Sequence, residues 1–515
     1  MTSPRATLGV LGLVLVAGAC GRSRAAPLPR PVLPPVVVTD SDSAKARPDS
    51  EPMIPVLPPG ADSAARAAAL KPERPAQRCV LDFENTPVTR SQSVRDPISG
   101  KYTHYVGGGV VGVCKTQFLR IIADSLESYE QNRLHYLIGH VKYREDRLAL
   151  DSDRLTYFQA EERLVAEGNV VVTMKDSSSM TGPRAEYWRA VRGVRPASRV
   201  HATARPTLRM YETDSAGRRQ RDPVVLIADN IVGEGETLFI ANGSVELDRS
   251  DLKARGDSAE LDNVRQYSRL MKQPVVESKG SQPFTLIGRV IDIFGRTRKI
   301  DRVLAVDSAK AVNKDLTLTA QTLDLRVVDN KLQRAYAHGS GRAVAVTAGR
   351  VISAESLDVR MPNQRINVLH AARQAYAESD PDSTKLTSKE RDWLRGDVIE
   401  ARFDSTTRDT SAQPPIIDLI ADGGARSYYH VPSNKGDKNR PGINYVVGRK
   451  ITVDFKDRVV NTVTVDDSVS GLFLEAAPID TLPPNPKATK KTPAKRPNTA
   501  TRPPTRRRGP GAPND

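Results

Sequence analysis

The sequence predicts an elongated all-β body made of repeated short antiparallel strands. Apolar and polar residues alternate in short runs closed by Gly, Asn or Asp, which is the period of half-buried strands. An acidic residue and a glycine recur at nearly constant separation: Asp124 to Gly139, Asp153 to Gly168 and Asp324 to Gly339 are 15 residues apart, and Asp229 to Gly243 are 14 apart. The composition is 38% hydrophobic, only 5% aromatic and 27% charged. It is poor for a thick globular core and suits a thin two-layer sheet lined by Val, Leu, Ile and Ala.

The first 19 residues read as an export signal, with Arg5 ahead of an apolar run from Leu8 to Val16 that is too short to span a membrane. Small residues at Ala17, Gly18 and Ala19 precede Cys20, so the expectation is a lipid-bearing Cys20. An ordinary signal peptidase cutting the same bond is the alternative. Residues 20–77 form a tether, because twelve Pro between Gly21 and Ala76 favour extended chain and leave nothing to build a core.

The folded body is expected from Arg78 to Ala477. Its Cys79 and Cys114 make an even pair in an oxidising compartment, which reads as a structural disulfide, with two buried thiols as the alternative. Within the body, Leu164, Ala166, Gly168, Val170, Val172 and Met174 share one strand face, and their neighbours share the other. In each repeat the acidic residue suits a strand-entry turn and the glycine a bulge or a corner with positive φ. A short helix is expected within an insertion near 375–396, where Thr387 and Glu390 match a capping box and Gly396 a stop. Whether the body is one continuous unit or two joined near that insertion stays open. Residues 478–515 form a basic, Pro-rich, disordered tail: Pro486 to Asp515 carries +8 of the net +16.

The repeat, with its small-acidic opening, apolar or aromatic middle and Gly168-Asn169-Val170 close, resembles the OstA-like (LptA) family of periplasmic lipopolysaccharide-transport proteins. The likeness is clearest from Ile122 to Met174, recurs weakly to about Leu357, and returns from Val459 to Glu475. It implies an open, twisted β-jelly roll that holds acyl chains between two sheets. The chain departs from small family members in its length, its Cys-bearing N-terminal segment and its basic tail. The apolar positions of the alternating runs then become groove candidates: Val170, Val172, Met174, Val245, Leu247, Leu316, Leu318, Leu323, Leu325, Ile451, Val453 and Phe455.

Catalytic and metal readings find little. The seven histidines are scattered, and the five-residue gap between His135 and His140 puts them on opposite faces of one strand. Gly107, Gly109 and Gly112 match a dinucleotide fingerprint in spacing, but no amphipathic helix follows, and a Gly-rich hairpin explains them. Ser340 between two glycines lies where the repeat demands a turn. No enzyme, metal or cofactor is expected. Two functions stay open. One is carriage of lipopolysaccharide or a related glycolipid across the periplasm by a protein anchored to the outer membrane. Its partners would be inner- and outer-membrane components sharing the jelly roll, or further copies joined head to tail. The other is a structural envelope scaffold without cargo. Export makes nucleic acid an unsuitable partner for the basic tail.

Overall fold

A computed structural model describes residues 81 to 475 apart from 85–86, 116–117, 212–221, 236, 281, 297–298, 407–413, 434–436 and 457–458. All of these belong to one unit, Asp62–Asp515, and residues 1–61 lie outside the described residues. The expected signal peptide, Cys20, the tether, Cys79 and the tail lie outside the described residues.

The described chain is all-β. It opens with β1 (Leu81–Glu84), β2 (Arg90–Arg95), β3 (Tyr102–Cys114), β4 (Leu119–Tyr129), β5 (Leu134–Glu145), β6 (Leu148–Phe158), β7 (Arg163–Met174) and β8 (Ser179–Trp188). There follow β9 (Arg199–Thr203), β10 (Thr207–Met210), β11 (Val224–Ile227), β12 (Asn230–Glu234), β13 (Leu238–Asp248), β14 (Leu252–Asp262), β15 (Tyr267–Met271), β16 (Val275–Ser278), β17 (Thr285–Ile287) and β18 (Val290–Arg296). The last third holds β19 (Lys299–Val312), β20 (Thr317–Val328), β21 (Lys331–His338), β22 (Ala343–Thr347), β23 (Arg350–Ala354), β24 (Ser356–Arg360), β25 (Val368–Ser379), β26 (Asp392–Phe403), β27 (Ile416–Val431), β28 (Gly442–Lys456), β29 (Val459–Asp466) and β30 (Ser470–Leu474). All pairings are antiparallel, and one hydrogen-bonded sheet runs unbroken from first strand to last.

Each long strand serves two layers. In β7, Arg163–Glu167 pair with Arg154–Phe158 of β6 and Arg184–Trp188 of β8, whereas Val171–Met174 pair with the other ends of those strands, across a register shift. The same break recurs along the chain, and at several rungs it divides the strand outright, as in β9 with β10 and β15 with β16. One layer, called here layer one, contains β2, β9, β12, β15, β18, β21, β24 and β29. Layer two contains β1, β10, β11, β16, β17, β22, β23 and β30. They are joined along a line of corners. Opposite that line, the hairpin turns of the two layers face each other as a mouth.

Two consecutive left-handed residues make the corner on every second rung except that of β21 and β22, where only Gly339 has positive φ. They are Gly108 and Gly109, Gly139 and His140, Gly168 and Asn169, Ala204 and Arg205, and so on to Asp467 and Ser468. Gly168 (φ +77) shows why glycine is wanted there. A Cβ on it would sit 2.3 Å from Oδ2 of Asp153, and one on Gly139 would sit 2.2 Å from Oδ2 of Asp124. The acidic residue of the repeat therefore lies in mid-strand, over the glycine of the next rung, and not in a strand-entry turn. The residue after the glycine then bonds back: Asn169 Nδ2 donates to Asp153 at 2.9 Å, and His140 Nδ1 lies 2.7 Å from Asp124.

Several expectations need correction. Asp324 does not cover Gly339. Gln321 does, while Asp324 faces outward and receives Arg302. Gly107 to Gly109 form a mid-strand corner of β3 instead of a hairpin. No helix forms near 387–396, since Thr387 lies in irregular chain, the bend falls at Lys389 and Glu390, and β26 begins at Asp392. The capping-box groups are otherwise engaged: Thr387 N–H donates to the Lys438 carbonyl, and Glu390 accepts from the Tyr428 hydroxyl at 2.7 Å.

Replacing Gly168 with Ala should lower unfolding free energy by about 1–3 kcal/mol, the cost of a side chain in a strained backbone region. Urea melts of Gly168→Ala, and of the same chain carrying Asp153→Ala, test this: removing the carboxylate should recover part of the loss. A second expectation concerns His140, whose pKa the Asp124 hydrogen bond raises, and His135, whose pKa burial lowers. In an NMR titration His140 should titrate above and His135 below the ordinary imidazole value, and Asp124→Asn should bring His140 back down. Because the His140 pKa is raised, its pairing contributes below the unfolded value and is lost as pH rises through the folded one.

Candidate binding interior

The alternation in each strand becomes two apolar rows facing each other. In layer two, Leu150, Val172, Met180, Leu208, Leu226 and Leu247 stand directly opposite one another on successive rungs. In layer one, Leu155, Ala166, Ala185, Ala202, Ile231 and Ala241 do the same close to the corner, where small residues let the layers converge. These residues belong to one core that continues to Ile451 and Val453. The interior is therefore a single continuous seam.

Every groove candidate lies on this inner side. Val170, Val172, Met174, Val245, Leu247, Leu316 and Leu318 belong to layer two, and Leu323, Leu325, Ile451, Val453 and Phe455 to layer one. All are buried except Phe455, which is partly so. Val172 is fully buried while its neighbour Val171 is 36% exposed, as the strand period requires. The structure does not, however, make these positions walls of one open groove. Val170, Val172 and Met174 are packed directly by other side chains.

Space appears at the mouth. A cavity of about 280 Å³ lies between the far ends of the layers, lined by Met210, Leu247, Leu252, Leu261, Ile293 and Ile300, with Asp176, Asn263 and Gln266 among its polar groups. A second of about 70 Å³ includes Val453 and Phe455. A third of about 20 Å³ includes Leu316, Leu318 and Leu325. An apolar cavity of about 150 Å³ holds a benzene ring, so the first has room for a short alkyl segment but not a whole glycolipid.

Nearer the N-terminus the mouth is shut by a buried ionic cluster. Arg189, just past β8 in layer one, donates Nε to Glu145 at 3.0 Å in layer two and Nη1 to Glu162 at 2.9 Å. The Tyr157 hydroxyl donates to Glu162 and the Tyr143 hydroxyl to Glu145, at 2.9 and 2.8 Å, and the Tyr187 hydroxyl also meets Glu145. Burial, reinforced by the neighbouring carboxylates, raises the Tyr143 and Tyr157 pKa values, so both remain donors. Burial by itself would lower the Arg189 pKa, but the surrounding tyrosines and glutamates raise it. Sequence reading missed this cluster, since its members share no spacing and meet only through register.

Cys114, at the end of β3, is disulfide-bonded, and Cys79 lies outside the described residues. Among the described residues no three His, Cys, Asp or Glu side chains gather as metal ligands. No family model, curated protein or solved structure matches this chain.

Arg189 is only 5% exposed, so losing it strands two carboxylates. Arg189→Met should lower unfolding free energy by roughly 3–5 kcal/mol. Urea denaturation measures this, and adding Glu145→Gln and Glu162→Gln should return part of the loss.

Proposed function

We propose that this protein is a non-catalytic carrier of an amphiphilic glycolipid, lipopolysaccharide or a close relative, moving between bacterial membranes as the resemblance to periplasmic lipopolysaccharide-transport proteins implies. The supporting observation is the continuous apolar seam between two layers that share a corner and, among the described residues, no ladder hydrogen bonds across the mouth. Separating the layers breaks no backbone ladder. Acyl chains entering the seam replace protein contacts with equally apolar ones and bury their own surface, worth about 0.8 kcal/mol per methylene. The carrier acts in the periplasm, tethered to the outer membrane through a lipid on Cys20. Its partners are membrane components sharing the jelly roll, or further copies meeting head to tail.

A structural scaffold is the second reading, and one observation favours it: Val172, Leu150 and Leu208 are fully buried by the protein's own side chains. A photoreactive residue at Leu247, which lines the cavity of about 280 Å³, separates the two, with Glu246 on the outer face as control. Carriage predicts a glycolipid adduct at position 247 and none at 246, together with glycolipid extracted from protein purified without detergent. Folded protein that repeatedly yields neither adduct nor extracted lipid establishes the scaffold.

A further inference from the structure

Layer one has an outer face that the carrier reading does not use. On it, strand register aligns four arginines that the sequence scatters: Arg302 stands opposite Arg326, Arg326 opposite Arg334, and Arg334 opposite Arg360. Like charges directly opposite on neighbouring strands are destabilising. Two aspartates offset part of this. Arg302 binds Asp324 through Nε and Nη2, both at 2.9 Å, and Arg334 binds Asp358 in the same way at 2.7 and 2.9 Å. The intervening guanidiniums gain much less. Arg326 approaches Asp324, and Arg360 approaches Asp358, only to 3.7 Å, and they are 46% and 64% exposed.

The row thus holds four positive charges against two negative ones; Arg334 is 52% exposed though paired, while Arg326 and Arg360 are exposed and held by no carboxylate closer than 3.7 Å. Two strand spacings separate Arg326 from Arg360, roughly 9–10 Å. That is comparable with the spacing of neighbouring phospholipid headgroups, and guanidinium suits phosphate in charge and donor geometry. One step further from the corner, at the β20–β21 hairpin, the same face presents Val328, 58% exposed, opposite Lys331. Between the two aspartates stands Tyr336, 38% exposed.

We propose that this row, with Val328 at its tip, is a docking surface for an anionic phospholipid bilayer. Arg326 and Arg360 contact headgroup phosphates, Tyr336 lies at the headgroup level, and Val328 enters the apolar boundary. A soluble polyanion would satisfy the arginines but offer nothing to Val328, so the bilayer fits the whole face better. This surface is independent of whatever the interior carries.

The test is co-sedimentation of the full chain with phosphatidylcholine vesicles, with and without phosphatidylglycerol. Wild type should partition onto the anionic vesicles alone, and less so as salt rises. Arg326→Glu with Arg360→Glu should weaken partition by at least about tenfold. The pair Arg326→Gln and Arg360→Gln, which removes charge with little change of volume, and Val328→Asp should each weaken it too. Binding undiminished in the charge-reversed or the glutamine chain would assign it elsewhere, to the basic C-terminal segment, and overturn the proposal. So would wild type that ignores anionic vesicles, or that binds soluble polyphosphate through these arginines without binding vesicles.

Discussion

The structure depends on a corner that each rung must turn. A left-handed pair on one strand, roofed on several rungs by a carboxylate from the strand before it, lets one run of backbone pair in both layers. Ordinary strands stacked as two sheets would need loops crossing between them. Here the crossing is made inside the strand; the covering carboxylate and its glycine stand 14 or 15 residues apart at Asp124 and Gly139, Asp153 and Gly168, and Asp229 and Gly243, where the rungs are short, and 26 apart at Asp397 and Gly423, where they are long. The cost is local: non-glycine residues such as Ala204, Arg205, Lys272 and Gln273 sit at positive φ, each an unfavourable conformation. What offsets it is hydrophobic burial along the whole seam.

The same corner explains what was legible in the sequence. Rungs with the left-handed pair keep their inward parity through it, so β7 reads as one series from Leu164 through Ala166 and Val170 to Met174. Intervening rungs flip parity. In β20, inward Leu318 and Ala320 are followed by inward Leu323 and Leu325, and a period-two pattern breaks between them. Such a strand reads as two short ones, although its backbone runs on through the corner. The twelve positions named from the alternation nevertheless all lie on the inner side, because within each half the alternation is strict.

Features that depend on register across rungs were invisible. The arginines at 302, 326, 334 and 360 are irregularly spaced because hairpin lengths differ, and only pairing puts them in line. Arg189 reaches Glu145 and Glu162 from another rung, with no local pattern to announce it. The expected helix failed for the opposite reason. Thr387 and Glu390 carry a genuine local capping signal, but the residues that follow alternate outward Trp393 with inward Leu394, and Trp393 stacks against Tyr428 across the ladder at 6.0 Å. Sheet pairing outweighs a propensity worth about 1 kcal/mol.

Opening of the mouth is expected to differ along the fold. Around β5 to β8 it would expose Arg189, Glu145 and Glu162, whose mutual bonds replace hydration in a dry site, so separation there must rehydrate the whole cluster at once. From β10 to β19 the far ends already leave about 280 Å³ unfilled, and the groups at its rim include residues able to hydrogen-bond water. Parting the layers there sacrifices mainly apolar contact, which an acyl chain would restore. On the carrier reading, the middle rungs are therefore where a guest would enter, away from the N-terminal rungs held by the Arg189 cluster. The outer arginine row lies on β19 to β24, next to those middle rungs, so a membrane held against it would lie beside the part of the seam that opens most easily.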